Sequence, residues 1–134
     1  MKITDQQKKE LIEKAKSASQ YAYVPYSHFP VGAAFLAESG DIVSGCNIEN
    51  ASFGLSNCAE RTAIFKAISE GTTKFLALAI YGETQEPISP CGACRQVIAE
   101  FCTSEMPVYL LSKELEIKES SVGELLPYSF QELG

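Results

Sequence analysis

The sequence predicts an α/β fold: a three-layer α/β/α sandwich in which a mixed five-stranded sheet carries helices on both faces. Three observations predict it. Segments of strand length alternate with segments of helical periodicity through the middle of the chain, in the order βαβαβ. Residues 75–81 (FLALAIY) form an unbroken apolar run of strand length, as expected of a central strand covered on both faces. The helical segments carry apolar stripes that need a sheet to lie on.

Taken in order, Thr4 followed by Gln7 resembles a capping box, and Leu11, Ile12, Ala15, Ala18 and Ala22 recur at helical spacing, so an amphipathic helix is predicted over 4–22. Pro25 cannot continue a helix and biases Val24 to extended geometry, so a loop follows. Residues 30–37 (PVGAAFLA) and 42–46 (IVSGC) flank ESGD at 38–41, which reads as a hairpin with a four-residue turn. Residues 47–57 are polar, contain glycine and read as loop. A second helix, largely buried, is predicted over 59–70 from Ala63, Ile64, Ala67 and Ile68, with Gly71 ending it. After the central strand, 82–90 connect to a third helix over 92–102 carrying Val97, Ile98 and Phe101. A strand at 108–111 follows Pro107, and the βαβαβ order predicts right-handed crossovers with parallel pairing. Residues 115–118 (LEIK) read as a short edge strand, and Ser121 with Glu124 as a second capping box opening a brief helix to 126.

At 134 residues the chain is one domain's worth, here taken as 1–134, and its 46% hydrophobic and 21% charged residues are a globular composition. No apolar run approaches a membrane span, and the first twenty residues lack the apolar core of a signal peptide. Five cysteines cannot all pair within one chain, so their spacing argues for metal binding in a reducing, cytoplasmic compartment. A formal net charge of −6 argues against a nucleic-acid partner, which would demand cations against phosphates. The one basic pair, Lys8-Lys9, shares a helix with Glu10 and Glu13 and reads as a solvated face.

The chemistry concentrates in two segments, Asn57-Cys58-Ala59-Glu60-Arg61-Thr62 and Ser89-Pro90-Cys91-Gly92-Ala93-Cys94-Arg95. If a helix starts after Pro90, Cys91 and Cys94 lie on one face, a turn apart, and can share one metal. Cys58 opens the preceding helix, and helix N-termini favour thiolates. Thiolates are soft ligands that suit zinc, whereas iron–sulfur clusters usually take four cysteines. Three protein ligands leave the fourth tetrahedral position for water, as in catalytic sites. Glu60, two residues from a ligand, is placed to take that water's proton. Arg61 and Arg95 each adjoin a ligand, and guanidinium donors to the sulfurs would offset the net negative charge of three thiolates on Zn²⁺. A closed structural zinc site would instead need Cys46 or Cys102 as a fourth ligand; each reads better as a small core residue.

Cys-Ala-Glu followed about thirty residues later by Pro-Cys-Gly-Ala-Cys resembles the zinc-dependent cytidine and deoxycytidylate deaminases, with Cys58 where the described signature has His. The three-cysteine form is similar to the small homotetrameric cytidine deaminases, over nearly the whole chain. That resemblance implies one Zn²⁺ per chain, a small-molecule nucleoside substrate, hydrolytic deamination of cytidine and 2′-deoxycytidine in pyrimidine salvage, and a homotetramer with shared active sites. It also implies ribose-hydroxyl contacts from Asn47 and Glu49, a pyrimidine stacked on Phe29, a substrate contact at Ala59, and a contact from Phe130 into a neighbouring subunit's site. The only histidine, His28, has no role in a three-cysteine site. Phe53 stands where many relatives have Tyr, at a position linked to the subunit interface and sugar pocket. Tyr128 stands where they have a small residue. Within the same chemistry, another aminopyrimidine or a nucleic-acid cytosine is the alternative substrate. Outside it, the alternative is a zinc-stabilised interaction module.

Overall fold

A computed structural model describes residues 3–129. Helix α1 (Asp5–Ser19) begins on the expected capping box, with Thr4 accepting from Gln7 N–H while the Gln7 side chain accepts from Thr4 N–H. It ends before Ala22, because Tyr23 leaves the helical path to pair with a neighbouring strand segment: its N–H bonds Asn47 O at 3.0 Å and its carbonyl accepts from Glu49 N–H at 2.9 Å. Strands β1 (Val31–Ala37) and β2 (Ile42–Cys46) form the predicted hairpin, closed by a turn with Gly40 at φ +98°. Pro30, which has no N–H to give a ladder, stays outside β1. The 47–57 loop contains one 3-10 turn, Phe53–Leu55.

Helix α2 (Ala59–Ser69) has Cys58 as its N-cap and Gly71 at φ +93° just past its end. It buries Ala59, Glu60, Ala63, Ile64 and Ala67, while Phe65 and Lys66 face outward, so it is half covered rather than largely buried. Strand β3 (Phe75–Gly82), helix α3 (Gly92–Phe101, N-cap Cys91) and strand β4 (Pro107–Leu111) follow as predicted. Strand β5 (Ile117–Ser121) starts later than the sequence suggests, because Leu115 turns with φ +60° and its N–H bonds Ser112 O. Ser121 then caps α4 (Val122–Leu125) by accepting from Glu124 N–H.

The sheet order is β2-β1-β3-β4-β5, and only β3 and β4 pair in parallel. The βαβαβ pattern suggested wider parallel pairing; instead β1 lies between β2 and β3, antiparallel to both. Every residue of β1 is buried, which suits an interior position, whereas β2 is mostly half-buried and takes the edge. Side chains alternate across the sheet. Ala34, Leu36, Ala77, Ala79, Tyr109 and Leu111 face Leu11 and Ala15 of α1, while Ala33, Phe35, Leu78, Ile80, Val108 and Leu110 face α2 and α3. The three-layer sandwich follows. Lys8 is more than a solvated charge, since its Nζ sits 4.8 Å from the centre of the Tyr109 ring.

No helix of the described residues is long and apolar enough to cross a membrane. β2 and β3 run in the same direction, so α2 and α3 both begin from the same end of the sheet, where Val31 pairs with Gly82 and Gly32 with Cys46. Two glycines let the helices sit directly on the strands. A Cβ on Gly32 would lie 1.9 Å from Ala15 O of α1, and one on Gly45 would lie 2.6 Å from Ala63 N of α2. Gly32→Ala is therefore expected to lower the free energy of unfolding by about 2 kcal/mol or more. Urea denaturation checks this; an unchanged midpoint would mean that α1 does not rest on β1 as described.

Candidate metal centre and active-site cleft

The start of α2 and the start of α3 bring Cys58, Cys91 and Cys94 together, their sulfurs all within 4.8 Å of one another. Cys58 Sγ lies 3.7 Å from Cys91 Sγ, and Cys91 Sγ lies 3.1 Å from Cys94 Sγ. The helical start explains the CxxC half: Cys91 is the N-cap and its sulfur accepts from Cys94 N–H at 3.4 Å. A tetrahedral zinc with Zn–S of about 2.3 Å sets sulfurs roughly 3.8 Å apart, so the donor set fits one ion with a small opening of the Cys91–Cys94 pair. Cys46 and Cys102 lie outside the cluster, and so does His28. Burial pushes the Cys102 thiol up to about 12 and raises that of Cys46, as expected of packed side chains rather than ligands. The closed four-ligand site is thereby excluded for these cysteines.

Electrostatics favour thiolate at Cys58. A hydrogen bond from Cys94 and, against the cost of burial, another from Arg61 hold the Cys58 thiol down at about 5. Cys94 moves the other way, because it supplies that hydrogen bond and is itself buried. Three thiols this close share protons until a cation replaces them. Arg61 Nη2 donates to Cys58 Sγ at 3.4 Å, as the sequence suggested, while its buried Nε has no hydrogen-bond partner. Arg95 is different: its Nε and Nη1 donate to Pro90 O at 3.0 Å and Leu125 O at 2.8 Å. Those two donors tie the entry of α3 to the end of α4 rather than to a sulfur. Glu60 is only 4% exposed, and burial, reinforced by the Cys58 charge, raises its carboxyl above the usual range.

The cluster opens on a cleft of about 300 Å³ lined by the expected Phe29, Asn47, Glu49, Cys58, Ala59, Glu60 and Cys91. Three larger depressions, of about 510, 440 and 340 Å³, contain none of the three clustered cysteines. Asn47 and Glu49 both brace the chain around Phe29. Asn47 Nδ2 donates to Phe29 O and its Oδ1 accepts from Val31 N–H, each at 2.9 Å. Glu49 Oε1 accepts from Tyr26 N–H and Ser27 N–H at 3.1 Å, and hydrogen bonding from Ser27 and Tyr26 holds its carboxyl below the usual range. Sequence reasoning missed the cleft's apolar walls, Val31, Ile80 and Ile88. Alternation along β3 could have placed Ile80 on the α2 side; nothing local marks Ile88. Phe53 is exposed and meets the Tyr26 ring edge-on at 6.4 Å. Tyr128 is fully exposed at φ +57°, and Phe130 lies outside the described residues.

Residues 5–110, which include all three cysteines and Glu60, match the family described as the cytidine and deoxycytidylate deaminase zinc-binding region. Over 120 residues the chain is 59% identical to a cytidine deaminase of Sporosarcina psychrophila, covering 90% of this chain and 88% of that one. It is 54% identical over 120 residues to a cytidine deaminase of Halalkalibacterium halodurans, covering 90% and 91%. Its fold is similar to the crystal structure of cytidine deaminase from Burkholderia pseudomallei, with a TM-score of 0.89 and 48% identity over 96% of this chain and 100% of that chain. With three sulfurs converging at the starts of α2 and α3 beside a buried carboxylate, the chain belongs to the zinc-binding cytidine and deoxycytidylate deaminase family.

Proposed function

We propose that the protein catalyses the hydrolytic deamination of cytidine and 2′-deoxycytidine to the uridines and ammonia, in pyrimidine salvage. The observation that carries this reading is the composition of one cleft: thiol ligands and a buried carboxylate at one side, and Asn47, Glu49 and the Phe29 ring at the other. Cys58, Cys91 and Cys94 would hold Zn²⁺, which when bound supplies a Lewis acid that lowers the pKa of a water molecule toward neutrality.

Glu60 does the proton work. Burial raises the affinity of its carboxylate for a proton: it takes one from the attacking water, whose oxygen bonds pyrimidine C4, and gives it to N3. A second proton, from the hydroxyl now on C4, passes through Glu60 to the 4-amino group; the C4–N bond breaks, ammonia leaves and C4 becomes a carbonyl carbon. Phe29 offers a ring face to the base, and Val31, Ile80 and Ile88 keep that part of the cleft apolar. Asn47 and Glu49 offer donors and acceptors for sugar hydroxyls, while Glu49 Oε1 also holds the loop. Arg61 offsets charge on Cys58, and the Arg95 contacts hold the Cys91–Cys94 turn in place.

Residues 1–134 are proposed as one domain acting as a cytoplasmic homotetramer. Phe53, Leu55, Tyr26 and Ile48 near the cleft are exposed apolar side chains that a neighbouring subunit would cover. In that assembly Phe130 would complete a neighbour's site.

Two outcomes are expected. Glu60→Gln should keep zinc and the fold but lower kcat by about 10²- to 10⁴-fold. Loss of the cytidine absorbance band, followed beside an equal metal content for both proteins, reads this directly; turnover near the wild-type rate would remove Glu60 from its role. Secondly, Glu49 and Glu60 are the only charged side chains lining the cleft, with no Lys or Arg among the described lining. A 5′-phosphate would therefore meet like charge, and kcat/KM for deoxycytidine 5′-monophosphate should fall below that for deoxycytidine by roughly 10²-fold or more. Equal turnover of the two would instead favour a nucleotide substrate.

A further inference from the structure

Helix α2 begins on a residue that does not cap it. N-cap side chains usually accept a hydrogen bond from the first turn, as Thr4 does for α1 and Ser121 for α4. At α2 the N-cap is Cys58, whose side chain makes no such bond; its sulfur turns to Cys91 and accepts from Arg61. Other groups hold its backbone. Cys58 O accepts from Thr62 N–H at 3.0 Å and again from the Thr62 hydroxyl at 3.2 Å. Asn57 Nδ2 donates to the same hydroxyl at 3.1 Å, which orients its single proton toward Cys58 O. Asn57 is itself fixed, since its N–H and carbonyl pair with Ile48 at 2.8 and 2.9 Å, between Asn47 and Glu49.

A threonine hydroxyl bonded four residues back slightly destabilises a helix, so this contact is not explained by helix stability. Its position explains it. The bond lands on the carbonyl of a ligand, and the chain of contacts runs from the Asn47–Glu49 segment through Asn57 and Thr62 to Cys58.

We propose that Thr62 is a positioning residue for the metal centre, fixing with Asn57 the backbone of Cys58 and so the aim of its sulfur at the ion shared with Cys91 and Cys94. The inference rests on the metal centre and not on the identity of the nucleoside, so its test reads zinc rather than turnover. Zinc-loaded full-length protein is mixed with excess chromogenic chelator well below the melting temperature, and the rate of zinc release is measured. Thr62→Val, which keeps the shape and loses the hydroxyl, should release zinc about tenfold faster or more, while Thr62→Ser stays within about twofold of wild type. Asn57→Ala should shift release in the same direction, and it decides the question if Thr62→Val fails to fold. Leu11→Val, on the opposite face of the sheet, controls for general loss of stability. Wild-type release from Thr62→Val, equally fast release from Thr62→Ser, or the same acceleration in Leu11→Val at a matched melting temperature would each overturn the proposal.

Discussion

Bringing Cys58 within 3.7 Å of Cys91 constrains most of this fold, because the two residues are 33 apart and each stands at the start of a helix. Both helices must therefore start from one end of the sheet, side by side, with nothing bulky beneath them. The strand order meets the first condition: with β1 inserted antiparallel between β2 and β3, those two strands point the same way and deliver α2 and α3 to the same end. Small residues meet the second. Gly45 lies under Ala63 of α2, and Ala59, Ala63 and Ala67 are all fully buried. Close approach of helix to sheet costs these positions their side chains, and gains the register that sets a sulfur, a carboxylate and a guanidinium at one helix start.

The charge arrangement follows from the same place. Helix N-termini stabilise anions, and here two of them face one cluster of thiols. Burial of Glu60 opposes its ionisation, while Arg61 favours the Cys58 thiolate, so neighbouring residues on one helical turn are pushed toward opposite protonation behaviour. Arg95, adjacent to a ligand in the same way as Arg61, works on backbone carbonyls instead. Adjacency to a ligand in sequence does not set where a long side chain goes; the groups available at its reach do.

The far side of the cleft is built by side chains that brace the backbone around it. Asn47 substitutes for a strand neighbour, bonding Phe29 O and Val31 N–H where the ladder has ended, and Glu49 holds the Tyr26–Ser27 backbone. A carboxylate with two N–H donors on one oxygen is held in one orientation. The loop before β1 is thereby attached to the segment after β2.

The sequence by itself determined the elements and the metal chemistry. Thr4 with Gln7, Gly71, the apolar run of 75–81 and the CxxC after Pro90 act through local rules of capping, chain entropy and side-chain period, which need only near neighbours. The Cys-Ala-Glu and Pro-Cys-Gly-Ala-Cys segments likewise name a soft-metal site by composition and spacing. Tertiary structure decided what depends on partners distant in the chain. It placed β1 between β2 and β3, ended α1 early because Tyr23 found Ile48, sent Arg95 to Leu125, and walled the cleft with Ile80 and Ile88. Hydrophobic burial is non-directional and long side chains have several reachable partners, so only the packed fold selects among them.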